Sequence, residues 1–324
     1  MQTIMLGESG RSTTRLGFGC SSLMGSLDRK ESLAMLGAAY DAGVRHFDVA
    51  PSYGFGEAEG CLGEFINQHP GQITVTTKFG IPTGNKRASL SVARSLARPF
   101  LRVLPGLKKN LRRIAGRVAG GTQRTPFTAE NARQSLDRSL SALRVDRIDL
   151  WLLHEAETDE LQDDGLLCML SDARRDGKIG AHGVGSAASK IESLMEQRAA
   201  YCPTLQYEWS VLDALIPPGP SFRLHHRSLT ENFRALQGAL QADAKRCRRW
   251  SDHCGADLGC AETLALLMLK ASLVCNPESI VLFSSKHPGH IRKNVSIVGD
   301  LAAEEQALRL YALVRSEAVQ AMPG

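Results

Sequence analysis

Short apolar runs rich in β-branched residues alternate along this chain with longer stretches whose apolar positions recur every three or four residues. The short runs are Arg15–Cys20, Val44–Asp48, Ile73–Lys78, Ile148–Leu153, Ile179–Val184, Thr204–Tyr207, a weaker Phe222–Arg227, and Ser279–Phe283. Each reads as a strand. The longer stretches, Arg29–Ala42, Ala58–Gln68, Thr128–Leu143, Asp164–Arg175, Lys190–Arg198, Leu229–Cys247 and Ala261–Ser272, read as helices. In the first of them Leu33, Leu36 and Ala39 share one face and Gly43 supplies the stop. A Thr-Ala-Glu start at Thr128 has the form of an N-cap.

Strands that alternate with helices pair in parallel through right-handed crossovers. Eight strand candidates predict an α/β fold of the closed (β/α)8 TIM-barrel type rather than an open doubly wound sheet. The dinucleotide fingerprint of the latter is missing. Its nearest substitute, Gly54-Phe55-Gly56-Glu57-Ala58-Glu59-Gly60, follows Tyr53 rather than a strand and places its third glycine one residue late. Residues 1–324 are read as one barrel domain, with Met1–Thr14 as a hairpin closing the floor around a Glu8-Ser9-Gly10-Arg11 turn. Barrels of this length are common as single units.

Composition adds little until charge is mapped. The 324 residues are 43% hydrophobic and 23% charged, which suits one large core. No run of ~18 apolar residues is present, and the first residues lack a basic region followed by an apolar core, so a cytoplasmic protein is expected. Eight cysteines (Cys20, Cys61, Cys168, Cys202, Cys247, Cys254, Cys260, Cys275) form no CxxC pair, and the Cys247–Cys260 stretch with His253 fits no common zinc spacing. No metal site is expected. The net charge of +5 becomes −6 once eleven basic residues between Asn85 and Arg124 are set aside; that stretch contains no Asp or Glu.

The basic stretch belongs to an insertion spanning 82–127, far longer than the usual βα loop of about 2–6 residues. It carries two amphipathic helical patterns, one with Arg94, Arg98 and Arg102 in a stripe, the other after Pro105-Gly106. Placed after the third barrel strand, it is expected to rise over the mouth as a lid with a solvated basic face. Docking of a protein or an anionic membrane through 85–124 is the open alternative. Nucleic-acid binding is not expected, since Phe100 is the lone aromatic among these charges.

Four residues carry chemistry at strand ends, where barrels place their sites. Asp48, Lys78 and His154 each close an apolar run, and Tyr53 sits five residues past Asp48 in a Pro/Ser/Gly loop. A phenol, with an ordinary pKa near ~10, is a poor acid alone. Lys78 is expected to lower the pKa of Tyr53, Asp48 to hold Lys78, and His154 to orient a carbonyl oxygen. The set suits proton transfer at a carbonyl or alcohol, with a separate hydride carrier.

At this point the chain resembles the aldo-keto reductase superfamily. The resemblance rests on Gly43-Val44-Arg45-His46-Phe47-Asp48-Val49-Ala50-Pro51-Ser52-Tyr53-Gly54, Thr76-Thr77-Lys78-Phe79-Gly80, Asp146-Arg147-Ile148-Asp149-Leu150-Trp151-Leu152-Leu153-His154, and Pro288-Gly289-His290-Ile291-Arg292-Lys293-Asn294. It implies an NADP(H)-dependent reductase of aldehydes and ketones, with Tyr53 as proton donor and Asp48, Lys78 and His154 completing a tetrad. It also implies cofactor contacts at Gln206, at Ser186 (with Gly185 where the family has Ser-Asn), at Ser284, Ser285 and Lys286, at His290 where a phosphate-binding Arg is usual, and at Asn294. His226 stands where a nicotinamide-stacking aromatic is expected. NAD(H) stays open as the cofactor. The substrate is expected to be a small carbonyl or alcohol, an anionic one being left open by the basic insertion, and its pocket walls are expected near Leu23, Met24, the basic insertion, Trp209 and the 215–227 loop. Two further readings stay open: a cofactor-binding regulatory or scaffold barrel, and an NAD-dependent sugar dehydrogenase.

Overall fold

The computed structural model describes residues 1–83, 124–213 and 216–320. Two short antiparallel strands come first, β1 (Thr3–Met5) and β2 (Ser12–Thr14). Eight parallel strands follow: β3 (Leu16–Gly19), β4 (His46–Asp48), β5 (Thr74–Phe79), β6 (Ile148–His154), β7 (Ile179–Gly185), β8 (Leu205–Glu208), β9 (Arg223–His226) and β10 (Ser279–Phe283). They close into a barrel in chain order, β10 pairing with both β9 and β3. The expected (β/α)8 barrel and its N-terminal hairpin are therefore present.

The period of two along each strand decides what faces the barrel axis. On β6, Leu150 and Leu152 belong to the interior cluster, while Trp151 and Leu153 join the larger core between barrel and helices. His154 continues the inward parity. On β4 and β5 the same rule turns His46 and Asp48, then Thr74, Thr76 and Lys78, inward. His46 confirms it by bonding Thr74 Oγ1 at 3.0 Å through Nδ1 and Thr76 Oγ1 at 3.2 Å through Nε2. At the floor, Leu6 from the hairpin packs with Leu150, Leu152, Ala181, Leu224, Ile280 and Leu282 and is fully buried. The hairpin is pinned there by Arg11 to Asp149 (3.2 Å) and by Thr13 to Thr74 (2.6 Å).

Helices flank the barrel: α1 (Arg29–Asp41), α2 (Ala58–Asn67), α3 (Ala129–Leu143), α4 (Asp164–Arg175), α5 (Ala188–Arg198), α6 (Thr230–Ala242), α7 (Ala244–Cys254), α8 (Ala261–Cys275), α9 (Pro288–Ser296) and α10 (Leu301–Gln320). Their starts follow capping chemistry. Asp28 and Glu31 form a capping box on α1, Thr128 accepts from Asn131 N–H on α3, and Asp163 accepts from Gly165 N–H on α4.

Two helical expectations need correction. The single helix expected over Leu229–Cys247 is two helices, because Asp243 leaves helical geometry (φ −129°, ψ 91°) and its side chain caps Arg246 N–H to begin α7. That second helix runs on to Cys254 and stops at Gly255 in the left-handed region (φ 66°). The chain beyond Asn294 also adds α10, which packs against α8. Lys270 of α8 is buried there, donating to Val298 O at 3.0 Å and pairing with Glu304 at 3.1 Å. The two amphipathic patterns in the 82–127 insertion lie outside the described residues. At its far end, Thr125 N–H donates to Gly80 O (3.0 Å) and Phe127 packs edge-on against Phe79.

His46 makes the barrel interior sensitive to acid. Burial, its largest influence, together with Lys78 outweighs the pull of Asp48 and lowers its pKa from 6.5 to about 4. The folded value lies below the unfolded one, so the contribution to stability is complete above pH ~6.5 and is lost as pH falls through about 4. The loss is about 3 kcal/mol at ~1.4 kcal/mol per unit. Denaturant unfolding from pH 7 to 4 is expected to show a fall in stability that His46→Gln reduces by roughly that amount. An identical pH slope in the two proteins contradicts the buried neutral imidazole.

Candidate active site

Inward parity brings the upper ends of all eight strands to one cavity of about 400 Å³. Gly19, Asp48, Lys78, His154, Gly185, Gln206, His226 and Ser284 contribute one position each from the eight strands or their immediate ends. Tyr53 joins them from the loop after β4, at the start of a short 3-10 turn over Tyr53–Gly56. That loop is held by a close approach. A Cβ on Gly54 (φ 57°) would lie 2.5 Å from Leu23 O and 2.7 Å from Met24 Cβ, so only glycine fits.

The four candidate catalytic residues therefore meet. Lys78 is 2% exposed, and its Nζ donates to Asp48 Oδ1 at 2.5 Å and to Val49 O at 3.0 Å. The other carboxylate oxygen of Asp48 accepts from Gln206 Nε2 at 2.7 Å. Lys78 Nζ stands 5.3 Å from the Tyr53 ring centre, and the Tyr53 and His154 rings meet edge-on at 6.3 Å.

Electrostatics assign each group a form at neutral pH. Burial pulls the Lys78 pKa down, but Asp48 and Tyr53 outweigh it and the net direction is upward, so the ammonium persists. His154 is driven well below 6.5 by burial first, then by Lys78, His226 and Arg124. His226 falls to about 4, chiefly through burial. Both imidazoles are neutral. Lys78 lowers the pKa of Tyr53 as expected, but it is not the largest influence. Burial raises it, Lys78 lowers it, Asp48 raises it again, and the net direction is up. The phenol is held protonated, the form needed in a donor.

The candidate cofactor residues divide. Gln206 and Ser284 line the cavity. Ser186 follows the inward-facing Gly185 and turns the other way, donating to Ala156 O at 3.0 Å from a buried position outside the cavity wall. Ser285, Lys286 and His290 lie beyond the wall, on the loop after β10 and the start of α9. Lys286 and His290 are exposed, and Asn294 is half-buried further along α9. Ser285 Oγ accepts from His287 N–H at 3.1 Å.

Three wall residues have no forerunner among the candidates: Glu155, Ser228 and Thr230. A serine and a threonine at the start of a helix after the seventh barrel strand were the available signal. Of the walls expected near Leu23, Met24, Trp209 and the 215–227 loop, Ser21 lines the cavity beside Leu23 and Arg227 lines it from the last loop, while Leu23, Met24 and Trp209 themselves do not. Leu23 and Trp209 are buried in the core, Trp209 packing on His225 and Tyr311.

Comparison with known proteins gives this arrangement its relatives. The sequence model of the aldo/keto reductase family matches residues 15–228, from the first barrel strand to the wall beyond the seventh. The chain belongs to the aldo/keto reductase family. It is 28% identical over 225 residues to pyridoxal 4-dehydrogenase of Microbacterium luteolum, covering 64% of this chain and 62% of that protein. To D-threo-aldose 1-dehydrogenase of a Pseudomonas species it is 33% identical over 192 residues, covering 56% and 52%. The chain thus spans about half to three fifths of the length of these curated relatives. The crystal structure of an aldo-keto reductase from Klebsiella pneumoniae in complex with NADPH superposes with a TM-score of 0.64 at 17% identity, covering 97% of this chain and 95% of that one. At that identity the likeness concerns the fold.

In this aldo/keto reductase barrel the Lys78–Asp48 pair is buried, so removing one charge strands the other. Asp48→Asn is expected to lower unfolding free energy at pH 7 by about 3–5 kcal/mol, the usual cost of breaking a buried pair from one side. Denaturant titration checks it. A loss below ~1 kcal/mol, typical of an exposed pair, contradicts the burial.

Proposed function

We propose that this chain, as one barrel domain, is a nicotinamide-dependent oxidoreductase interconverting a carbonyl and its alcohol, with Tyr53 as general acid and base. The observation that carries the proposal is the placement of a protonated phenol between a buried ammonium and a neutral imidazole at the end of a cavity.

The residues present suit the cofactor. Ser228 Oγ is buried at the cavity wall with no hydrogen-bond partner among the described residues, beside the N-terminus of α6, where backbone N–H groups favour an anion such as a phosphate. Gln206 spends its amide N–H on Asp48, which leaves its carbonyl oxygen to accept from a carboxamide. Lys286 and His290 lie at the start of α9, where a 2′-phosphate would meet both a cation and a helix N-terminus. They favour NADP(H). NAD(H) is the second reading, in the form of a sugar dehydrogenase, supported by the likeness to an aldose 1-dehydrogenase.

When bound, the nicotinamide supplies hydride to the carbonyl carbon or takes it from the alcohol carbon. The chain's own residues manage the proton. His154, neutral, donates an N–H to the carbonyl oxygen and fixes its lone pairs toward Tyr53. Tyr53 gives its proton to that oxygen as negative charge develops. Lys78 stabilises the phenolate left behind, and Asp48 with Val49 O keeps the ammonium in place. In the alcohol-to-carbonyl direction Tyr53 takes the proton back.

Tyr53→Phe removes the proton and little else. With a panel of aldehydes and both cofactors, kcat is expected to fall roughly 10²–10⁴-fold, while nicotinamide fluorescence still reports cofactor binding. Wild-type protein that binds neither NADPH nor NADH overturns the proposal.

A further inference from the structure

The residue after His154 carries a charge that its surroundings do not answer. Glu155 sits at the end of β6 with its backbone in the left-handed region (φ 57°), uncommon for a residue with a side chain. Both of its backbone polar groups are fixed: its N–H donates to Gly185 O at 2.5 Å, and its carbonyl accepts from Arg124 at 2.9 Å. With its backbone so held, Glu155 lines the cavity. Strained positions of this kind persist where the surrounding contacts over-determine them, often at functional sites.

Its carboxylate makes no ion pair or hydrogen bond among the described residues, unlike those of its neighbours. Glu157 pairs with Lys190 at 2.6 Å and Arg124 at 3.4 Å, and Glu160 with Arg124 at 3.0 Å. Elsewhere in the wall Lys78 is matched by Asp48, and Arg227 by Glu231 at 3.4 Å. The two histidines that line the cavity are neutral.

We propose that Glu155 sets the charge preference of the substrate end of this cavity, disfavouring carbonyl compounds that carry a carboxylate or phosphate near the reacting carbon and favouring neutral, hydroxylated ones. The inference rests on the carbonyl-reductase reading above and runs against the anionic substrate that the basic insertion left open. His154 and Glu155 line one cavity, so a substrate oxygen held by His154 places the substituents of its carbonyl in the cavity that Glu155 borders. Two like charges ~6 Å apart repel by an amount equal to roughly a threefold to hundredfold change in binding, from a water-like to a protein-like dielectric.

A matched pair of substrates, 4-formylbenzoate and its methyl ester, isolates the charge. Wild-type kcat/KM is expected to favour the ester, and Glu155→Gln to move the ratio toward the acid by about tenfold, within that range. The shift should shrink as salt rises, which a packing effect would not do. An unchanged acid-to-ester ratio in Glu155→Gln overturns the inference. Calorimetric binding of the two corresponding alcohols reads the same ratio without turnover. Failure of the underlying reading shows separately, as turnover that survives Tyr53→Phe or is absent from wild-type protein.

Discussion

The buried ion pair between Lys78 and Asp48 is the constraint on which the site is built. An ammonium taken out of water costs several kcal/mol unless its partners are close and well placed. Here they come from the adjacent strand β4 and from β8 across the barrel: the Asp48 carboxylate and Val49 carbonyl beside Lys78, and Gln206 on the far oxygen of Asp48. The network ties the heads of β4, β5 and β8 together, and with them the wall against which Tyr53 and His154 stand. It fixes a positive charge beside a phenol and an imidazole that burial keeps in their neutral forms. Burial and the ammonium pull the phenol in opposite directions. The balance keeps it protonated at rest, and in the proposed reaction the ammonium stabilises the phenolate.

Backbone strain gathers at the same end of the barrel. Six residues other than glycine have positive φ among the described residues, and one of them, Arg144, is a helix cap. The other five surround the mouth. Met24 packs beneath Gly54, Phe55 follows it, Glu155 follows His154, and Arg227 and Thr230 flank the wall after β9. The barrel staves follow regular parity, while the loops that carry wall side chains into the cavity depart from it. That division suits a rigid frame holding a shaped site.

How much of this was legible in the sequence follows from the same division. Asp48, Lys78 and His154 could be found because an apolar run that ends in a polar residue of inward parity is a local pattern. The eight strands, the floor hairpin and most helix starts rest on local signals as well. The break between α6 and α7 was missed because apolar periodicity continues across Asp243, and its capping role depends on a single side chain. Ser186 looked equivalent to a cavity residue in sequence, yet parity after Gly185 turns its hydroxyl to Ala156. Glu155, Ser228 and Thr230 went unnoticed because loop conformation, not periodicity, brings them to the wall. Their φ values have no signature in composition or spacing.

The most direct test of the account is the titration of Tyr53 itself, followed by NMR of protein labelled at the tyrosine ζ-carbon and assigned with Tyr53→Phe. In wild-type protein Tyr53 is expected to ionise above the ordinary value of about 10, and higher still in Lys78→Met, where the stabilising ammonium is gone and Asp48 stays. A Tyr53 that titrates below 10, or one indifferent to the loss of Lys78, contradicts the claim that burial holds the proton and Lys78 opposes it.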